Sequence, residues 1–266
     1  MFVIKEKYDI NDLLELMKAL RAENGCPWDK VQTHKSIRSD LLEEAYEVAE
    51  AIDMDSSEML KEELGDLLLQ VVFHTEIENE QNKFDFDDVC DGICKKLVYR
   101  HPHVFGEVKA DTPEEVLKNW DNRKAAAKEE TRASDRLKDV TTTLPALMRA
   151  QKVGARASRV GMDFGSTKEV IERLRSEIDE LEEAVNAGTD EKIEEELGDV
   201  LFSCTNLSRF LQKDSEKALT FAVNKFIIRF SGVEALLEKQ GKTFTEADPA
   251  ELERLWEQTK TDAHLS

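Results

Sequence analysis

One acidic pattern occurs twice in this chain, 133 residues apart. The first copy is Glu44-x-x-Glu47 followed by Glu63-Leu64-Gly65-Asp66, and the second is Glu177-x-x-Glu180 followed by Glu196-Leu197-Gly198-Asp199. In each copy the third acid follows the second by 16 positions, and residues 44–68 match their counterparts at 11 of 25 positions. A duplication of this kind requires two units of one plan, each with its own core. A chain of 266 residues divides into two parts of about 130, each large enough to bury one. The composition places an N-terminal helical domain at 1–124 and a linker rich in Ala, charge and Thr at 125–143. A C-terminal helical domain follows at 144–266. Paired helices account for retained leucines but not for four retained carboxylates.

The elements read as helices throughout. Aromatic residues are 7% of the chain, charged residues 35%, and Gly and Pro number only 11 and 5, which suits helices better than sheets. Asp9 or Asn11 caps a first helix with Leu13, Leu14, Met17 and Leu20 on its apolar face, and Gly25-Cys26-Pro27 ends it. Further helices are predicted over about 36–53, 55–81 and 85–99. His101-Pro102-His103 stops the last of these, because Pro cannot continue a helix and restricts the residue before it. Thr112-Pro113 starts another, with Pro at the first helical position. In the second half, helices are predicted at 170–187, 190–211, 215–241 and 249–260. No run keeps a period of two, so the expected fold class is all-α, with a helix-bundle architecture in two tandem domains.

Residues three apart on a helix share a face. Glu44 and Glu47 therefore point together, as do Glu63 and Asp66, and antiparallel packing of the two helices brings four carboxylates together. Glu177, Glu180, Glu196 and Asp199 repeat the arrangement. Such a cluster repels itself unless a cation binds. Mg²⁺ takes oxygen ligands and keeps waters or substrate phosphates in its shell, and a water on the metal becomes a better nucleophile. The plain alternative is a solvated acidic face, since 57 of the 266 residues are acidic; duplication at fixed spacing argues against it. Gly65 and Gly198 each cost about 1 kcal/mol inside a helix, so close approach of a neighbouring helix or ligand is expected there. A basic element also recurs, Lys96-x-x-x-Arg100 and Lys225-x-x-x-Arg229. It suits phosphate oxygens, although salt bridges to nearby acids are the plainer reading. Trp120-x-x-x-Lys124 and Trp256-x-x-x-Lys260 form a third pair, each tryptophan either a core residue or a stacking surface for a base.

The formal net charge of −20 opposes binding to nucleic acid, and an anionic substrate needs bound cations or a local basic cluster. Cys26, Cys90, Cys94 and Cys204 give no disulfide framework, which fits reduced thiols in a cytoplasmic protein. Cys90, Cys94, His101 and His103 fit no common zinc spacing. Residues 1–8 lack the apolar core of a secretion signal, and no stretch reaches the ~18 apolar residues of a membrane span. Gly241-Lys242-Thr243 imitates the end of a P-loop, but Leu236 stands where that motif needs Gly and no strand precedes it. Gly241 reads as a helix C-cap.

Nearly the whole chain resembles the two-domain MazG nucleoside triphosphate pyrophosphohydrolases of the all-α NTP pyrophosphatase superfamily. The resemblance lies in Gly25-Cys26-Pro27-Trp28-Asp29 with Gln32-Thr33, in Glu43-Glu44-x-x-Glu47, in Glu63-Leu64-Gly65-Asp66-Leu67-Leu68 and in Arg100-His101-Pro102-His103-Val104-Phe105-Gly106. Leu144-Pro145-Ala146-Leu147 and Asn224-Lys225-Phe226-x-x-Arg229-Phe230 carry it through the second half. It implies hydrolysis of nucleoside triphosphates to monophosphate and pyrophosphate with Mg²⁺, Mn²⁺ being a possible substitute. It further implies a homodimer, broad base selectivity and a role in clearing unwanted nucleotides. The family's metal ligands fall on Glu44, Glu47, Glu63, Asp66, Glu177, Glu180, Glu196 and Asp199. Its nucleotide contacts in the second half fall on Lys192, Lys225, Arg229 and Trp256, with the Arg173–Glu177 turn. The halves depart from each other: Ser176 replaces the first Glu of the EExxE pattern, and Met59 stands where the second half has Lys192. A non-catalytic helical module that binds nucleotide or a partner protein is the main alternative. A dUTPase-like or phosphoribosyl-ATP pyrophosphatase of the same fold is the narrower one.

Overall fold

The computed structural model describes residues 2–127 and 132–262. Among them there is no strand, and the chain divides into two compact units, Met1–Lys124 and Ala125–Ser266. In the first, Asp9 starts α1 (Ile10–Arg21): its carboxylate accepts from the Asn11 and Asp12 amides, and Asp12 returns the bond in a capping box. A single turn, α2 (Pro27–Val31), leads to α3 (Arg38–Asp53). The Ser56 hydroxyl accepts from the Met59 amide and begins α4 (Ser57–Asn79). Asp85 and Asp88 form the capping box of α5 (Phe86–Arg100), followed by the short α6 (Pro102–Phe105) and by α7 (Pro113–Ala127).

The α3–α4 connection is so short that the two helices pack antiparallel, with Asp55 in the left-handed region at φ 51°. Helix α1 lies against α4, and Met17, Ile37, Val72, Phe73 and Ile77 form the core, flanked by Leu13, Leu14, Leu69 and Phe86. This core uses the C-terminal half of α4. The N-terminal half carries the acids and leaves Leu64 and Leu68 exposed.

The second unit contains α8 (Ala133–Lys138), α9 (Ala146–Arg159), α10 (Thr167–Ala187), α11 (Asp190–Phe210), α12 (Ser215–Lys239) and α13 (Pro249–Asp262). Helix α10 pairs with α11 as α3 pairs with α4, and α9 lies on α11 as α1 lies on α4. Val233, Leu237 and Leu255 form a buried cluster where α12 meets α13. Gly241 follows α12 with φ 70°, the left-handed geometry of a C-cap glycine.

Three features depart from the sequence reading. The stretch expected as a linker, 125–143, is not an open tether in its second part: α8 packs on α9, Val140 is buried, and the Arg156 guanidinium donates to the Arg136 carbonyl. Helix α9 has no counterpart in the expected elements. Finally, a Cβ built at Gly65 or Gly198 meets nothing within 4 Å, so among the described residues no neighbouring helix demands either glycine, which leaves a ligand as the expected reason. The close approach occurs instead at Gly154 of α9, where a Cβ would sit 2.7 Å from the Asn206 Oδ1 of α11.

A duplicated carboxylate cluster as the candidate metal and phosphate site

In the first unit α3 supplies Glu44 and Glu47, and α4 supplies Glu63 and Asp66. Oxygens of Glu44, Glu63 and Asp66 lie within 4.8 Å of one another. Burial first, then the charges of Asp66 and Glu47, raise the Glu44 pKa above the ordinary carboxylate value. Burial first, then Glu47 and Glu62, raises that of Glu63. Glu47 is thus close enough to act on both, although it lies outside the group of three. Among the described residues no cationic side chain pairs with any of the four acids.

A pH dependence follows. Folded pKa values above the unfolded ones mean that the native state binds more protons than the unfolded chain. The window opens at the ordinary value of 4.5 and extends upward. Across it, stability falls as pH rises. In EDTA the melting temperature of the first unit is expected to decline as pH rises above about 4.5, and saturating Mg²⁺ should flatten that decline. Calorimetry with and without Mg²⁺ measures it; a melting temperature that rises through this window in EDTA contradicts the expectation.

In the second unit the corresponding oxygens of Glu177, Glu196 and Asp199 also lie within 4.8 Å of one another. Glu177 and Glu196 are each only 4% exposed. The Arg173 Nε stands 2.7 Å from Glu177 Oε1, and its Nη1 3.6 Å from Glu180 Oε1, which also accepts from the Ser176 hydroxyl at 3.0 Å. The Lys192 Nζ lies 2.6 Å from Glu196 and 3.1 Å from Glu195, and these carboxylates, Glu196 foremost, raise its pKa. Lys192, Glu180 and Glu196 line one cavity of about 420 Å³ with Glu183, Ala184 and Gly188. The remaining oxygens, Glu177 Oε2 and Glu196 Oε2, are buried and accept no hydrogen bond. Buried carboxylate oxygens without donors are costly unless a cation takes them. An oxygen-only set of this kind fits a hard divalent ion.

The basic and aromatic pairs are also duplicated in space. Lys96 and Arg100 sit on α5, which packs on α4; Lys225 and Arg229 sit on α12, which packs on α11. The arginines make no salt bridge among the described residues. Each lies over the tryptophan singled out in its own half: Arg100 is 5.1 Å from the Trp120 ring centre and Arg229 5.9 Å from that of Trp256. The Nε of each arginine is buried without a partner. His101 meets Trp120 edge-on at 5.0 Å, and Phe226 stands 5.2 Å from Trp256. Trp256 also packs against the core of its unit. Lys96 and Lys225 are exposed, and Lys124 follows Trp120 by one turn of α7.

One polar cluster escaped the sequence reading. His34 Nδ1 lies 2.8 Å from His74 Nδ1, and His34 Nε2 lies 2.6 Å from Glu78, which Lys83 also approaches at 3.1 Å. Burial, then His34, lowers the His74 pKa. The cluster ties the turn before α3 to α4, two turns beyond Asp66. His74 and Glu78, four residues apart, were the available signal.

A family model, the MazG nucleotide pyrophosphohydrolase domain, matches residues 32–105 and again residues 166–233. The chain belongs to the MazG family. Each of the two matches encloses one complete carboxylate quartet. The chain is 43% identical over 249 residues to the nucleoside triphosphate pyrophosphohydrolase/pyrophosphatase MazG of Thermotoga maritima, covering 94% of each protein. It is 43% identical over 254 residues to the nucleoside triphosphate pyrophosphohydrolase of Escherichia coli K12, covering 94% of this chain and 97% of that one. A nucleoside triphosphate pyrophosphohydrolase of Mycolicibacterium smegmatis is 41% identical over 153 residues, 57% of this chain and 46% of that protein. No helix of the described residues is long and apolar enough to cross a membrane.

Proposed function

We propose that this MazG protein hydrolyses nucleoside triphosphates to nucleoside monophosphate and pyrophosphate, using Mg²⁺ or Mn²⁺ at the two quartets, with broad base selectivity. The observation that carries the reading is the pair of buried, donorless oxygens Glu177 Oε2 and Glu196 Oε2 beside Lys192 and Arg173. Glu44, Glu47, Glu63 and Asp66 would hold the metal in the first unit, and Glu177, Glu180, Glu196 and Asp199 in the second. The bound ion neutralises phosphate charge and makes a water more nucleophilic. The chain's own cations do the rest. Lys192 and Arg173 are placed to neutralise phosphate oxygens at the mouth of the second quartet, and Arg229, held over Trp256, adds a planar fork of donors. The first unit has Arg100 over Trp120, with Lys96 and Lys124 on the same two helices.

The uncovered apolar side chains fit a homodimer. Leu64, Leu68 and Val71 on α4, and Leu197, Leu201 and Phe202 on α11, are exposed beside the acids, and a second copy would cover such faces. The four free cysteines agree with a cytoplasmic enzyme of the nucleotide pool. The deciding experiment is release of pyrophosphate rather than orthophosphate from a panel of triphosphates, with Mg²⁺ and in excess EDTA. Full turnover in EDTA would remove the metal from the reading, and no turnover on any triphosphate would leave a binding module.

Arg229→Ala should lower turnover by the second unit by about 100-fold while shifting its melting temperature little, because the guanidinium has no carboxylate partner to lose. Assayed in a background whose first quartet is removed, a large loss of stability with undiminished activity of the folded fraction would mark Arg229 as structural.

A further inference from the structure

The two quartets differ in the cations around them, and we infer that they take up metal by different routes. The quartet of α3 and α4 binds free Mg²⁺ ahead of nucleotide, whereas that of α10 and α11 binds it only together with the triphosphate. The inference rests on the reading of both quartets as metal sites.

Among the described residues no cationic side chain pairs with the four carboxylates of the first unit. Asp40 stands at the position of Arg173, and Met59 at the position of Lys192. A hydrated divalent ion meets uncompensated negative charge there, and a polyanion meets repulsion until that ion has bound. In the second unit Arg173 and Lys192 halve the formal charge of the quartet, and they do so at its two buried members, at 2.7 Å from Glu177 and 2.6 Å from Glu196. An ion arriving alone is repelled by both and competes with them for the same carboxylates. A metal–triphosphate complex brings its own partners for them. Phosphate oxygens accept the ammonium and the guanidinium fork, and the carboxylates are released to the metal in the same event. Lys192 is half-exposed on the first turns of α11, so its side chain is free to move from Glu196 to a phosphate without disturbing the helix.

The test uses Mn²⁺ as a paramagnetic stand-in, titrated against the full chain and followed by electron paramagnetic resonance. One form carries Glu196→Ala and Asp199→Ala and keeps only the first quartet; the other carries Glu63→Ala and Asp66→Ala and keeps only the second. With Mn²⁺ alone the first form should bind at least about 10-fold more tightly than the second. A non-hydrolysable triphosphate analogue should tighten the second by about 10-fold or more and the first by clearly less. Lys192→Met in the second form should raise its affinity for Mn²⁺ alone by about 10-fold, and Met59→Lys in the first should lower it by a similar factor. Lys192→Gln and circular dichroism control for folding. Equal affinities for Mn²⁺ alone, or a Lys192→Met form indistinguishable from its parent, overturn this inference while leaving the metal sites in place. Absence of Mn²⁺ binding by either form, with and without the analogue, overturns the metal reading and the inference together.

Discussion

Replacing Glu196 and Asp199 together by Ala should lower pyrophosphate release by the second unit by about 10³-fold or more, and replacing Glu63 and Asp66 should do the same to the first. Each pair lies one turn apart on the helix that faces its partner acids, so its loss leaves half a ligand set. In the second unit Glu177 keeps Arg173, and Lys192 keeps Glu195, so the remaining groups have partners but no longer a site. Stability should move little or even rise in the first unit, because Glu63 is held near Glu47, Glu62 and Asp66 with no cation between them. That combination, activity lost and melting temperature kept, is what separates a functional quartet from a structural one. Activity on a panel of triphosphates measures it. Should either double variant retain wild-type rates on every triphosphate, its unit is a structural copy and the two-site reading fails; the quadruple variant should show nothing above background.

Much of this was legible because the sequence supplied its own comparison. The cap Asp9 announced its helix, and the repeated acids marked the faces of α3, α4, α10 and α11 on which carboxylates converge. Helix α9 was legible and overlooked: Leu147, Ala150, Val153, Gly154 and Ala157 recur on one face at helical spacing between basic residues, although Gly154 is its one buried position. A single buried Val140 in a polar, Thr-rich stretch hid the packing of α8. Arg100 and Arg229 suggested salt bridges, yet both lie over tryptophans, since the choice between a carboxylate and a ring depends on which helices meet. The same holds for the pairing of His34 with His74, 40 residues away. The cations at the second quartet, by contrast, follow helical spacing: Arg173 to Glu177 and Lys192 to Glu196 are each four residues apart, which any helical reading of those segments brings together.

The largest loss of stability from a single substitution should come from Arg21→Ala, at about 3 kcal/mol and a fall of about 10 °C in the melting of the first unit. The Arg21 side chain is 5% exposed and sits where three segments meet. Its guanidinium holds Glu80, at the end of α4, through Nε at 2.7 Å and Nη2 at 2.8 Å. Nη1 donates to the carbonyls of Asp29 at 2.6 Å and Gln32 at 3.3 Å, fastening α2 and the turn after it. The same group lies 5.2 Å from the ring centre of Phe73 in the core. Glu80 is 38% exposed and regains water when the arginine is lost, so the ion pair itself contributes the smaller share. The larger share comes from the cavity beside Phe73 and from the freed α2 segment. Glu80→Ala should therefore cost about 1 kcal/mol, well below the arginine, and Arg21→Lys should fall between the two because one ammonium cannot replace the fork. The damage should be confined to the first unit, leaving the melting of the second unit unchanged. Mg²⁺ should recover part of the loss, since an ion that binds only the folded quartet of α3 and α4 draws the equilibrium back toward it. Calorimetric scans of the three variants with and without Mg²⁺ measure these effects. Equal losses from Arg21→Ala and Glu80→Ala would show that the ion pair, and not the anchoring of α2 and Phe73, holds this corner of the first unit together.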